Sequence, residues 1–158
     1  MASTGVARFV ERARQAGVEV DVAEFPAGTR TAADAAAAIG CEVAQIVKSL
    51  VFVADEEPVL VLTSGANRVD ETALASALGA ATVRMADAQL VREATGYAIG
   101  GTPPFGHDTP VGVVCDRTLT EHEEVWAAAG SPTTVFPLSP QTLLEVTDAQ
   151  VADVARPA

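Results

Sequence analysis

A single lysine is the residue in this 158-residue chain whose type and setting most suggest chemistry. Lys48 lies inside the apolar run of residues 45–53, and the other nine cationic residues are all arginine. Burial of an ammonium group costs free energy unless the group is paired or faces a cavity. Lys48 is therefore a candidate for the cation of a binding or catalytic site. The alternative is a lysine that extends from the edge of a sheet into water.

A loop rich in glycine is the second chemical candidate. Residues 96–107 hold four glycines and two prolines in twelve positions, which predicts a shaped loop instead of a helix or a strand. Glycines let backbone N–H and C=O groups approach a ligand closely, where they can orient a carbonyl or a water. Such a loop can equally be a plain connector. His107, followed by Asp108, ends the loop and could line the same cleft.

Other familiar catalytic patterns are missing from the sequence. Ser64 precedes a glycine but lacks the surroundings of a nucleophile elbow. The spacing of Cys41 and Cys115 fits neither a metal site nor a redox pair, so we interpret both as small core residues. His122 lies in an acidic run, which is typical of a solvent-exposed face. No nucleotide-binding glycine pattern and no converging metal ligands occur, so we expect no cofactor and no metal.

The composition limits the partners. The formal net charge is −11 with 49% hydrophobic residues, and no run is long enough to span a membrane. Strong autonomous binding to DNA or another phosphate backbone needs clustered basic residues, which are lacking here. We expect a cytoplasmic protein with no DNA or membrane partner. A polyanionic substrate would have to be gripped at a small site or delivered by another protein.

Residue patterns predict one domain over residues 1–158 with a mixed sheet and peripheral helices. Residues 25–28 are predicted to form a turn, and residues 117–129 fit either a helix or a turn that leads into a strand. Helices are predicted over residues 4–16, 32–39, 70–78, 87–94 and 140–154, and strands over residues 18–22, 47–53, 59–63, 83–85, 111–115 and 133–138.

Five segments taken together resemble the YbaK/EbsC family. They are residues 31–36, 39–40, 46–51, 100–106 and 114–116, and their order and spacing are more specific than any one of them. Members of this family are aminoacyl-tRNA editing proteins related to the editing domain inserted in bacterial prolyl-tRNA synthetases. The likeness extends from about Val18 to Thr147. It implies an α+β fold with a mostly antiparallel sheet or a partly open barrel.

The resemblance also implies a function. It is the metal-independent hydrolysis of the ester that joins a wrong amino acid to the 3′ end of a tRNA, for this chain tRNA-Pro carrying Cys or Ala. The implied partners are that 3′ end and prolyl-tRNA synthetase, and a homodimer is left open. Lys48, Gly100 and Gly101 are the implied catalytic positions. The implied substrate-binding positions are Phe25, Ser49, Thr102, Pro103, Pro104, Phe105, His107 and Ala128.

Two positions depart from the family pattern. Phe25 stands where cysteine-specific members usually have Tyr, and Ala128 stands where those members have Ser. Both changes remove a hydroxyl group, which questions the specificity for cysteine more than the hydrolysis itself. Two alternative hypotheses remain: a non-catalytic module that binds aminoacyl-adenosine or a synthetase, and a hydrolase for another small activated ester or amide.

Overall fold

The computed structural model describes residues 4–25 and 31–158. These residues form five helices: α1 (Thr4–Gln15), α2 (Ala32–Ile39), α3 (Glu71–Leu78), α4 (Ala88–Thr95) and α5 (Pro140–Thr147). They also form ten strands: β1 (Ala23–Glu24), β2 (Ile46–Ala54), β3 (Glu57–Ser64), β4 (Asn67–Val69), β5 (Val83–Met85), β6 (Gly112–Asp116), β7 (Val125–Ala128), β8 (Thr134–Leu138), β9 (Gln150–Ala152) and β10 (Ala155–Pro157). No helix in the described part of the chain is long and apolar enough to cross a membrane.

Local capping signals explain where several helices begin and end. The Thr31 side chain accepts a hydrogen bond from the Asp34 N–H, and the Asp34 side chain accepts one from the Thr31 N–H, which completes a capping box before α2. Gly40 ends α2 in the left-handed conformation, with φ of 87°. The Asp70 and Asp87 side chains cap α3 and α4, each accepting one hydrogen bond from an N–H group in the first turn. These helices were predicted at nearly the observed boundaries because their signals are local.

The β2–β3 hairpin forms the centre of the main sheet. The strand order is β1-β8-β7-β2-β3-β6-β9, with β5 also paired to β2, and β4 pairs with β10 in a separate two-stranded ribbon. Most pairs are antiparallel, while β2–β7, β3–β6 and β6–β9 are parallel. The predicted mixed, mostly antiparallel fold with peripheral helices is confirmed.

The two faces of the hairpin bury separate apolar clusters. Val47 and Val51 of β2 face a cluster that includes Phe9 of α1, whereas Phe52 faces Leu74 of α3 on the opposite side. This alternation follows from the period of two in a strand. Cys115 lies in the first cluster, as predicted, and its burial raises the pKa of the thiol to about 12. A thiolate at this position is therefore excluded near neutral pH.

Two predicted elements were wrong. Residues 18–22 are not a strand, although Val18, Val20 and Val22 pack on the core, because strand pairing begins only at Ala23. The last helix ends at Thr147 instead of extending to residue 154, because Asp148 adopts a left-handed conformation and residues 150–152 pair with β6. Residues 117–121 form a short 3₁₀ turn that leads into β7. Beyond Phe25, the turn predicted at residues 25–28 lies outside the described residues.

Candidate active site

A pocket of about 310 Å³ opens beside β2. Lys48 and Ser49 of β2, Gly100 and Thr102 of the glycine loop, and Ala128 of β7 all contribute to its lining. Two separate parts of the chain that the sequence suggested for chemistry, residues 48–49 and the loop after α4, therefore border one cavity. Phe25, which precedes α2, also lines it.

The pocket lies against an open segment of the β2 edge. Along one side, β2 pairs with β3 over its whole length. Along the other side, β7 pairs only with Ile46 and Val47, and β5 pairs only with residues 52–54. Lys48, Ser49 and Leu50 therefore have no strand neighbour on that side among the described residues. Within the described part of the chain, this segment of the central strand therefore leaves its backbone edge unpaired beside the pocket.

Ser49 directs its backbone polar groups toward this gap. The bond from the Gly65 N–H to the Ile46 carbonyl shows that even-numbered residues of β2 bond to β3. In an antiparallel ladder the next residue points its N–H and C=O the other way. The Val51 carbonyl does so and accepts a bond from Ala86, whereas Ser49 lies between the two pairings. One backbone donor and one acceptor beside the pocket thus have no strand partner among the described residues.

The Ser49 side chain is also unsatisfied. Its Oγ is buried and has no hydrogen-bond partner among the described residues. A buried polar group without a partner costs roughly 1–3 kcal/mol, and such groups in folded proteins require an explanation. A bound ligand that bonds to Ser49 would remove this cost. Among the described residues no base contacts the hydroxyl to take its proton, which nucleophilic attack by a serine requires.

Lys48 is half-buried and anchored at its end. Its Nζ donates a hydrogen bond to the backbone carbonyl of Asn67 at the start of β4. Burial lowers the pKa of the Lys48 ammonium from its usual value, and the negative charge of Asp116 opposes that shift. The side chain therefore does not extend freely into water. It stands at the pocket as a cation that is partly removed from solvent.

A buried hydrogen-bond network holds the residue that anchors Lys48. Asp116 is 1% exposed, and its Oδ2 accepts bonds from the Ser64 N–H and from Asn67 Nδ2, both at 3.1 Å. Its Oδ1 accepts from the N–H and the hydroxyl of Thr118. Asp116 belongs to a segment that carries the family likeness, whereas no sequence pattern singled out Asn67. The network fixes both the carbonyl that binds Lys48 and a negative charge near it.

Gly100 and Gly101 need to be glycine for different reasons. Gly100 has a φ of 85°, which disfavours any side chain, and a Cβ there would meet only Pro132, at 3.9 Å. A Cβ on Gly101 would lie 2.6–2.8 Å from backbone atoms of Ser131 and Pro132. The loop therefore lies directly on the turn that follows β7. Gly100 reaches the pocket, whereas Gly101 allows the close approach that holds Gly100 there.

Residues 103–107 of the loop pack behind the pocket and do not line it. Pro103 and Pro104 are buried, and the Phe105 ring lies 5.1 Å from the Phe9 ring within the core. His107 Nε2 is 2.7 Å from the Pro103 carbonyl, and burial lowers the pKa of its imidazole. Of the positions implied by the family likeness, the pocket lining does not include Gly101, Pro103, Pro104, Phe105 or His107.

Helix α1 braces the same loop from outside. Arg12 donates to the Gly106 carbonyl at 2.9 Å and forms an ion pair of 2.7 Å with Asp108. The Tyr97 hydroxyl donates to the same Gly106 carbonyl, also at 2.9 Å. The Arg8 guanidinium lies over the Tyr97 ring, 4.5 Å from its centre. These contacts restrict the movement of the loop relative to the sheet.

The apolar walls include residues that the sequence patterns did not single out. Trp126, the only tryptophan in the chain, lines the pocket near Phe25, and Ile99 lies at the pocket with 53% of its surface exposed. Thr31 and Ala35 bring the beginning of α2 to the same wall. Ala128 and Phe25, the two positions that depart from the family pattern, are both in the lining. Within the described residues there is no cluster of three or more His, Cys, Asp or Glu side chains that could hold a metal ion.

Comparison with known proteins identifies the class to which this fold and pocket belong. Residues 26–146 match the family model of the aminoacyl-tRNA editing domain, and the chain belongs to that family. The protein YwhH of Bacillus subtilis (strain 168) is 32% identical over 134 residues, which cover 84% of this chain and 85% of YwhH. The predicted relationship to the YbaK/EbsC editing proteins is confirmed.

Prolyl-tRNA synthetases contain a related segment. The proline–tRNA ligase of Geobacter sp. (strain M21) is 39% identical over 92 residues, which cover 58% of this chain but only 16% of the ligase. A crystal structure described as a candidate trans-editing enzyme for prolyl tRNA synthetase matches with a TM-score of 0.94 and 44% identity, over 99% of both chains. The structure of hypothetical protein APE2540 matches with a TM-score of 0.86 and 31% identity, over 94% of this chain and 99% of that one.

Proposed function

We propose that this protein is a trans-editing deacylase that hydrolyses the ester of a mischarged tRNA. The observation that carries the proposal is that the only lysine in the sequence and Gly100 border one pocket, beside the Ser49 hydroxyl, which has no hydrogen-bond partner among the described residues. The substrate we favour is tRNA-Pro carrying a small amino acid, Cys or Ala. The similarity to segments of prolyl-tRNA synthetases supports this choice of tRNA, and prolyl-tRNA synthetase is the proposed protein partner.

The pocket volume suits one end of a tRNA and not its body. At about 310 Å³ it is at the lower end of the range of roughly 300–1,000 Å³ for small-molecule sites. An aminoacyl group and part of the terminal nucleoside fit such a space. A synthetase pocket discriminates poorly against small amino acids, and a second hydrolytic site corrects the resulting errors. A small pocket with apolar walls is consistent with that task.

The reaction needs a positioned water and a stabilised oxyanion. Water attacks the ester carbonyl carbon, the bond from that carbon to the ribose oxygen breaks, and a proton from the water ends on the ribose hydroxyl. Backbone groups of Gly100 and Ser49 orient the ester, and Lys48 stabilises negative charge on the ribose or phosphate side. Neither cysteine takes part in this scheme, and burial raises the pKa of both thiols. We further propose that the reaction is metal-independent.

Mischarged tRNAs provide the test. Purified protein is incubated with tRNA-Pro carrying Ala, Cys, Ser or Pro, and the loss of the ester is measured against a reaction without protein. We expect rapid loss for one or more of the small non-cognate amino acids. Lys48→Ala should abolish it, whereas Arg84→Ala, an exposed change on β5, should not. Survival of all four esters with the wild-type protein would contradict the proposal.

A second function is favoured by one feature of the pocket. Phe25 and Ala128 line the pocket without a hydroxyl group. The family resemblance implies Tyr and Ser at these positions in cysteine-specific members, so this wall offers fewer polar contacts. The protein would then bind aminoacyl-adenosine, or a synthetase that carries it, without turnover. Fluorescence of Trp126 in the same wall reports such binding. Saturable binding of a non-hydrolysable aminoacyl-adenosine analogue with no hydrolysis of any aminoacyl-tRNA would support this second function.

A further inference from the structure

Two arginines lie directly opposite each other on the β4–β10 ribbon. Arg68 pairs with Arg156 in the antiparallel register, so their side chains share one face of the ribbon with Cβ atoms about 4.5–5.5 Å apart. Both residues are exposed. Neither makes an ion pair or a side-chain hydrogen bond within the described residues. Like charges at directly opposite positions are destabilising, so this arrangement does not serve the stability of the fold.

The ribbon orients the arginine pair toward solvent. Asn67 and Val69, on either side of Arg68, point inward: Asn67 Nδ2 donates to Asp116, and Val69 packs on the second apolar cluster. Because side chains alternate along a strand, Arg68 and its partner Arg156 project from the opposite, outer face. Their guanidinium groups are therefore available to a ligand.

The arginine pair is adjacent to Lys48. The Asn67 carbonyl, which accepts the hydrogen bond from Lys48 Nζ, belongs to the peptide unit that joins Asn67 to Arg68. One short strand thus connects the cation at the pocket to two cations on the surface. We refer to Lys48, Arg68 and Arg156 together as the positive feature.

This positive feature stands out against the charge of the molecule. The chain has 21 acidic and 10 basic residues. Arg12, Arg14 and Arg117 each form an ion pair of 2.9 Å or less with a carboxylate. Arg84 and Arg92 are exposed and without an ion pair among the described residues, but they lie on β5 and α4, away from the ribbon. Arg68 and Arg156 are the described unpaired arginines that face each other.

We propose that Arg68 and Arg156 bind phosphates of the single-stranded 3′ end of an RNA whose last nucleoside enters the Lys48 pocket. Guanidinium groups bind phosphate oxygens through paired, charge-assisted hydrogen bonds, and two of them side by side offer two such forks. The identity of the ligand as a tRNA end rests on the proposed function. The arginine pair supplies the electrostatic contact that the acidic surface otherwise lacks.

The test compares two double variants with the same change in charge. Arg68→Gln with Arg156→Gln removes the pair, and Arg84→Gln with Arg92→Gln is the matched control. The RNA ligand is an acceptor-stem hairpin that ends in single-stranded CCA and carries no amino acid. Its binding is measured by Trp126 fluorescence over a series of salt concentrations. We expect the first variant to bind about tenfold to a hundredfold more weakly, at about tenfold per charged contact. The slope of log K against log salt should fall by about 1.4, since each neutralised phosphate of a single strand contributes about 0.7.

Kinetics distinguish this proposal from the proposed function. With mischarged tRNA as substrate, the first variant should have a lower kcat/KM than wild type, mainly because its KM is higher and not because its kcat is lower. This decrease in kcat/KM should be larger than the decrease measured with aminoacyl-adenosine, which has no phosphate. Weaker RNA binding in the first variant only, together with no hydrolysis by the wild-type protein, would support the arginine site and refute the deacylase. Hydrolysis with equal KM and equal salt slope in both double variants would overturn the arginine site and leave the deacylase standing. Equal competition for binding by polyglutamate and RNA would indicate an acidic protein ligand and would also overturn it.

Discussion

Substitution of the two adjacent loop glycines should give two different failures. In Gly101→Ala the new Cβ would lie 2.6 Å from the backbone carbonyl carbon of Ser131, and folded proteins essentially never show such contacts below 3.0 Å. The loop or the turn after β7 must therefore move by about 0.4 Å or more. Overpacking of this kind costs about 1–3 kcal/mol. For a chain of this size, Tm should fall by roughly 3 °C per kcal/mol.

Gly100→Ala should affect the site more than the fold. Its φ of 85° makes an alanine cost about 1–2 kcal/mol, but the nearest atom to the new Cβ is 3.9 Å away. The methyl group adds bulk beside the pocket. Gly79→Ala is the matched control, because Gly79 also has a positive φ, of 65°, with no atom within 4 Å, and ends α3 outside the pocket lining.

Thermal unfolding and deacylation kinetics of the three variants provide the assay. We expect Gly79→Ala to lose about 1 kcal/mol of stability and no activity. Gly100→Ala should lose a similar amount of stability with a clear fall in kcat/KM. Gly101→Ala should lose both, with kcat/KM reduced by about tenfold to a hundredfold because the loop is displaced. Wild-type Tm for Gly101→Ala, or equal activity of Gly100→Ala and Gly79→Ala, would refute this account of the loop.

Four further predictions concern buried polar groups. Ser49→Ala should keep or raise Tm, because the Oγ has no partner in the part of the chain that the structure describes, and should lower kcat/KM about tenfold; loss of stability without loss of activity would contradict its proposed role. Thr63→Val should raise the free energy of unfolding by about 1 kcal/mol, because the Thr63 hydroxyl is also buried without a partner among the described residues. Asp116→Asn removes a charge that raises the pKa of Lys48, so the high-pH limb of kcat/KM, corrected for spontaneous ester hydrolysis, should move to lower pH; an unmoved limb would show that Lys48 does not titrate in that limb. Burial lowers the pKa of His107 from its usual value of 6.5, so below that pH the unfolded chain binds more protons than the folded chain. The free energy of unfolding of wild type should therefore decrease as pH falls below 6.5. Denaturant titrations should show a smaller decrease for His107→Gln.

Sequence signals predicted the elements whose determinants are local. Thr31 with Gly40 and Asp70 with Gly79 fixed two helices, because an N-cap side chain and a left-handed glycine act within one turn of the helix. The helix predicted over residues 140–154 was too long for the opposite reason, because the structure of its last part depends on distant residues. Residues 150–152 become a strand only because β6 offers a parallel edge, and that edge is formed by residues more than thirty positions earlier.

The same distinction between local and long-range determinants applies to the residues of the site. Lys48 was recognisable because it is the only lysine, and the family likeness linked it to Gly100. The gap in the β2 edge could not be predicted, since it depends on where β7 and β5 stop pairing with β2. Nor could the sequence tell which loop residues face the pocket. Phe105 is a large apolar ring, and the tertiary packing directs it toward Phe9 and the core.

Deacylation by the wild-type protein and by Lys48→Ala tests the central claim most directly. Each is incubated with tRNA-Pro carrying Ala or Cys, with Arg84→Ala as the control and with Tm measured for all three proteins. We expect wild type and Arg84→Ala to hydrolyse at least one of these esters. Lys48→Ala, still folded, should be slower by about a hundredfold or more, the size expected for loss of one group that stabilises the transition state. Equal rates for Lys48→Ala and wild type, or no hydrolysis above the protein-free rate by either, would contradict the central claim.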